Sequence, residues 1–191
     1  MKSAMSRKKK ILIIILVLVV VAIGVAAILI FKPFHSDAAR FSSDYVLMDK
    51  DNVFVYKSAR QTADILENGT GVIFIGFPAC PWCQAYVPIL NEVAKELGID
   101  EVIYLDILID RSINSAQYRR LVEMKKHHLE TDDNGKPRIY VPDVTVVKDG
   151  VIVGHDNETC TLSDMDPTDY WTISKVEALR QRLREMIELI Q

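Results

Sequence analysis

The sequence predicts an α/β domain preceded by one apolar segment long enough to cross a membrane. Three observations predict this. Residues 71–108 read as strand, amphipathic helix, strand. Residues 144–153 read as an apolar hairpin, and Ile11 to Phe31 is an unbroken apolar run of 21 residues.

That run, at about 1.5 Å per residue, matches a hydrocarbon core of roughly 30 Å. It has no polar face, so it does not read as a buried core helix. The competing reading is a cleaved signal peptide, with Ser36-Asp37-Ala38 as a small-residue cleavage site. No Cys lies near the end of the run for lipid attachment. The formal net charge is −3, and residues 1–10 alone contribute +5, leaving −8 for the remainder. The basic cluster (Lys2, Arg7, Lys8, Lys9, Lys10) is expected to stay in the cytoplasm, which puts the following domain on the outer, disulfide-permissive side of the cell membrane. An acidic domain argues against nucleic acid as a partner.

Residues 32–44, with Pro33, Ser36, Ser42 and Ser43, read as a linker, and the domain is expected over residues 45–191. Val53 to Tyr56 reads as a strand. Ser58-Ala59-Arg60-Gln61 is a capping box opening a helix that ends near Gly69. Gly71 to Phe77 is continuously apolar, as in a strand covered on both faces. In the next helix Cys83, Val87, Leu90, Ala94 and Leu97 form the apolar stripe, with Gln84, Asn91, Lys95 and Glu96 on the other face. Val102 to Leu108 is the next strand, joined to the previous one by a right-handed parallel crossover.

A helix is expected over about 113–129, with Lys125-Lys126-His127-His128 on a solvated face. Residues 131–137 read as a turn. Lys148-Asp149-Gly150 turns the hairpin. Ser174-Lys175-Val176-Glu177 reads as a second capping box, and Val176, Leu179, Leu183, Met186 and Ile190 form one stripe on the last helix.

Chemistry concentrates at Cys80-Pro81-Trp82-Cys83, between a buried strand and an amphipathic helix. The spacing lets two sulfurs meet across one helical turn. It places Cys80 at a helix N-terminus, where free N–H groups and the helix dipole favour a thiolate. Pro81 suits the first helical turn, where its missing N–H costs nothing. The thiolate is the nucleophile of disulfide exchange, so Cys80 is expected to attack and Cys83, one turn in, to resolve. The Trp82 ring is expected beside the sulfurs as apolar substrate contact.

The competing readings are a static disulfide or half of a zinc site. A structural zinc site needs four ligands. Cys160, His35, His127, His128 and His155 are the remaining candidates, and no second close Cys pair exists. No metal and no cofactor beyond the Cys80–Cys83 disulfide is expected. Cys160 reads as passive, Asp132-Asp133-Asn134-Gly135 lacks the spacing of a calcium loop, and Asn157-Glu158-Thr159 is a formal sequon without further support.

Phe77-Pro78-Ala79-Cys80-Pro81-Trp82-Cys83, followed by Val87-Pro88-Ile89-Leu90 and Glu92, resembles the active-site helix of thioredoxins. Tyr140-Val141-Pro142 before a Val-rich strand is similar to the family's cis-proline position, and residues 144–153 resemble its closing hairpin. The resemblance covers about Val53 to Gln191. More narrowly, Ile75 to Cys83 and Val141-Pro142-Asp143-Val144 resemble thioredoxin-like bacteriocin-transport accessory proteins of Gram-positive bacteria.

The resemblance implies a thioredoxin fold, with a central mixed sheet flanked by helices, and a protein-disulfide oxidoreductase acting on extracytoplasmic polypeptides, including bacteriocin-like peptides. It implies that Pro88 kinks the active-site helix and that Pro142 packs, in cis, beside the two sulfurs. Val141 would then pair with an extended substrate segment. The alternative is a non-catalytic peptide-binding accessory module for peptide export. Three departures stand out. Phe74 occupies the position of the family's buried Asp, Ala79 that of its usual Trp, and about thirty residues separate Asp110 from Pro142.

Overall fold

A computed structural model describes residue 17 and residues 36–159 and 165–191. The expected membrane span, His35 and Cys160 lie outside the described residues, Val17 of the span excepted. No helix among the described residues is long and apolar enough to cross a membrane. The folded unit is Ser36–Gln191.

In chain order the elements are α1 (Asp37–Asp44), β1 (Phe54–Tyr56), α2 (Ala59–Asn68), β2 (Gly71–Gly76), α3 (Pro81–Glu96) and β3 (Val102–Asp106). There follow α4 (Leu108–Ser112), α5 (Ala116–Lys125), β4 (Asp143–Lys148), β5 (Val151–Asp156), α6 (Pro167–Tyr170) and α7 (Ile173–Glu188). The strands form one mixed sheet in the order β1-β3-β2-β4-β5. β1, β3 and β2 run parallel, while β4 and β5 are antiparallel to their neighbours.

The apolar run of β2 has its cause in this order. A strand exposes alternate side chains to opposite faces. Val72 and Phe74 enter one core with Tyr86, Val87 and Leu90 of α3 and Leu179, Leu183 and Ile187 of α7. Ile73 and Ile75 enter a second core with Ala63 and Leu66 of α2 and Leu121 of α5. Both faces are covered, so no polar alternation remains.

Local signals close the elements. Ser58 and Gln61 form the reciprocal capping box of α2. The hairpin turn holds Asp149 at φ +50° and Gly150 at φ +77°. A Cβ on Gly150 would lie 2.2 Å from the Glu67 carbonyl oxygen, so only glycine fits there.

Several expectations are corrected. Residues 37–44 are not linker. Ser36 caps α1 by accepting from Ala39 N–H, and Phe41 is fully buried, stacked 4.0 Å from Phe54. Asn91 is not on a solvated face; its Oδ1 accepts from Val53 N–H at 3.2 Å and anchors the chain entering β1. Ile107 and Leu108 do not extend β3, because Ile107 caps α4. The helix expected over 113–129 is shorter, opening at the Ser115 cap. Ser174 lies inside α7; its cap is Thr172, whose side chain makes no capping bond. The expected stripe on α7 does face the core. Lys125 is not solvated: it is fully buried.

Candidate active site

β2 ends at Gly76, and the chain turns through Phe77, Pro78 and Ala79 to Cys80, the N-cap of α3. Pro81 occupies the first helical position and leaves no donor unpaired. The Cys83 amide donates to Cys80 Sγ at 3.2 Å. Both cysteines are free thiols and both are buried, Cys83 completely. Gly76 leaves the room that Cys83 and Phe74 need. A Cβ there would sit 2.8 Å from the Phe74 ring and 3.2 Å from Cys83 Sγ.

The Val141–Pro142 peptide is cis. Cys80 Sγ lies 3.9 Å from the Val141 carbonyl oxygen, toward which its thiol points as donor. The structure therefore brings together Cys80, Cys83 and Val141, with Pro142 next in the chain and buried. Pro88 lies inside α3, half-buried. The Trp82 ring is less free than expected: it is partly buried, edge-on to Tyr170 at 5.2 Å between centroids.

The electrostatics separate the two thiols. The hydrogen bond from the Cys83 side chain lowers the Cys80 pKa to about 7. Burial opposes it, while the backbone N–H groups of Cys83 and Trp82 and the charge of Arg111 reinforce it. Burial pushes Cys83 far up, and the neighbouring Cys80 adds to this. One sulfur is a ready thiolate near neutral pH; the other keeps its proton.

Sequence reasoning missed two residues here. Arg111, on α4, lies with its guanidinium 5.1 Å from the Phe77 ring centroid and donates to the Ile139 carbonyl at 3.4 Å. It thus joins the loop before Cys80 to the segment before Pro142. The motif lacks an internal cation, and Arg111 supplies one from outside. Gln84 reads in sequence only as part of a polar helix face. Its Nε2 donates to the carbonyls of Pro78, at 2.8 Å, and Asp44, at 3.0 Å, and its Oε1 accepts from Val46 N–H at 3.1 Å. It pins the loop before Cys80 to the end of α1. Neither role has a local sequence signal, because the partners are distant in the chain.

Phe74, at the position of the expected acid, is fully buried. It stacks on Tyr104 at 5.7 Å and meets the edges of Tyr45 and Phe54. The slot is aromatic and holds no carboxylate at that position. Among the described residues, no group of three His, Cys, Asp or Glu side chains is arranged to hold a metal ion. No protein-family model and no curated protein matches the chain.

Proposed function

We propose that this chain is a membrane-anchored thiol–disulfide oxidoreductase of the thioredoxin type, acting on extracytoplasmic polypeptides through Cys80 and Cys83. One observation carries the reading: Cys80 is at once the N-cap of α3, hydrogen-bonded by the Cys83 amide, and the neighbour of the Val141 carbonyl before a cis-proline. The five-stranded mixed sheet flanked by helices is compatible with a thioredoxin fold.

The chemistry balances without a bound cofactor. The Cys80 thiolate attacks one sulfur of a substrate disulfide. A Cys80–substrate disulfide forms, and the substrate's other sulfur leaves as a thiolate. Cys83 then gives its proton to the released substrate thiolate and attacks Cys80 Sγ. The Cys80–Cys83 disulfide forms, the second substrate sulfur leaves, and two electrons have passed to the substrate. Reversal of the same steps oxidises a substrate dithiol. The groove lined by Leu47, Pro78, Ala79, Pro81, Ala85 and Pro167 offers apolar contact beside Cys80. Bacteriocin-like secreted peptides are one substrate class, and residues 11–31 are the proposed anchor.

The test is a Cys83→Ser chain, which cannot resolve. It is expected to accumulate polypeptides joined to Cys80 that reducing agent releases. Absence of any Cys80-linked polypeptide contradicts the proposal.

The aromatic slot around Phe74 favours a second reading, a peptide-binding export accessory without turnover, because Cys83 has no acid at that position to take its proton. Under that reading, replacing both cysteines by serine leaves the biological activity intact.

A further inference from the structure

Asp143 follows Pro142 directly and is the first residue of β4. Its side chain is fully buried. Its Oδ1 accepts from Lys125 Nζ and from Thr145 Oγ1, the latter at 3.2 Å. Its Oδ2 lies 3.0 Å from His155 Nε2. The Lys125 side chain is also fully buried, at the C-terminal end of α5, while His155 is 11% exposed. Each carboxylate oxygen is thus held, by groups from α5, β4 and β5.

Stability alone does not account for such a cluster. Taking two charges out of water costs several kcal/mol each, and a well-packed apolar pair of the same size often serves as well or better. Its place in the chain suggests another role. Lys125 and Asp143 bracket residues 126–142, and their ion pair closes the base of that excursion. The excursion ends in the turn that faces Cys80. Among the described residues, no backbone–backbone hydrogen bond outside the sheet ladder involves Val141 or Pro142. Val141 packs against both cores and Pro142 is buried, while side-chain bonds hold the chain on either side. On one side Ile139 is buried, and its carbonyl accepts from Arg111. On the other side is Asp143.

We propose that Lys125, Asp143 and His155 are positioning residues that hold the Val141 carbonyl at the distance from Cys80 which lets a polypeptide substrate lie along the turn while its sulfur meets the thiolate. This rests on the oxidoreductase reading above. The cluster touches neither sulfur; it acts through the turn.

The test isolates one thiol. In a full-length chain carrying Cys83→Ser and Cys160→Ser, Cys80 is the only thiol. It is offered two probes. Iodoacetamide forms a thioether and releases iodide, with no need to lie along the turn. A decapeptide with its cysteine joined to thionitrobenzoate forms a peptide–Cys80 disulfide and releases the coloured thiolate. Lys125→Met with Asp143→Asn removes both charges together, leaving no lone buried ion.

The double variant is expected to react about tenfold or more slowly with the peptide, the scale set by small misplacement of reacting groups. Its iodoacetamide rate is expected to stay within about twofold, since the thiolate itself is not addressed. His155→Gln, at the edge of the cluster, is expected to shift the same ratio by less, and decides the matter if the double variant does not fold. Equal loss of both rates, or an unchanged ratio in a folded variant, overturns the proposal. Turnover by the chain with both cysteines, assayed alongside, tests the oxidoreductase reading by itself, because the rate ratio needs no turnover.

Discussion

Cys80 Sγ lies 3.9 Å from the Val141 carbonyl oxygen, across 61 residues of sequence. The sulfur proposed to attack and the backbone proposed to receive a substrate strand are therefore neighbours. The sheet order produces this. β2 and β4 are adjacent and antiparallel, so the C-terminal end of β2, which leads to Cys80, meets the N-terminal end of β4, which follows Pro142.

The pH dependence follows from the split between the two thiols. Cys80, lowered to about 7 by the Cys83 hydrogen bond, is a thiolate above that pH. Iodoacetamide labelling of Cys80 in the Cys83→Ser, Cys160→Ser chain is expected to rise with a midpoint between about 7 and the ordinary thiol value of about 8.5, because the variant loses the Cys83 thiol that contributes most to the lowering. In the reduced chain with both cysteines, the depressed pKa favours folding once the unfolded thiol has also ionised. That contribution declines as pH falls and is gone below about 7. Labelling monitored from pH 5 to 10 by mass measures the midpoint.

Arg111 contributes to that thiolate and fastens two loops. Arg111→Ala is expected to move the Cys80 labelling midpoint upward by about half a pH unit, a modest effect for a partly solvated cation. Arg111→Lys keeps the charge but not the planar contact with Phe77, so it is expected to recover part of the shift. Parallel titrations of the two variants check this.

Phe41 makes α1 part of the domain. It is fully buried and packs against Phe54, Tyr45 and Tyr104. Phe41→Ala is expected to cost about 3–5 kcal/mol, as for other buried aromatic truncations. Urea unfolding of the full chain in detergent measures it, and a loss below about 1 kcal/mol would return residues 37–44 to the status of linker.

Phe74→Asp places a carboxylate in an aromatic slot. The acid's pKa is raised there by burial, so the folded state holds a proton that the unfolded state has released. Stability of the variant is therefore expected to fall as pH rises from about 4 toward 7. Wild-type and variant unfolding curves at both pH values test the sign.

Much of this was legible in sequence. The β2 run is apolar throughout because both its faces are covered, and that leaves a local mark. The Ser58–Gln61 cap, the Lys148-Asp149-Gly150 turn and the Cys80–Cys83 pair are local too, since a few adjacent residues determine them. What escaped reading depends on distant partners. α1 is short and rich in Ser and Asp, and its place in the core comes from Phe41 meeting Phe54 and Tyr104. Lys125 sits in a run of cations that reads as solvated until Asp143 is brought beneath it. Asn91, Gln84 and Arg111 act on backbone groups that sequence spacing does not reveal. Ser174 shows the opposite error, a motif matched in pattern while the helix starts earlier at Thr172.

The central claim is that Cys80 and Cys83 exchange electrons as a pair. The most direct measurement equilibrates the full chain with dithiol–disulfide buffers and counts free thiols at Cys80 and Cys83 by mass. The account predicts one reversible two-electron transition between about −120 and −300 mV, the range spanned by thiol–disulfide enzymes. If neither cysteine changes state across that range, the account is contradicted.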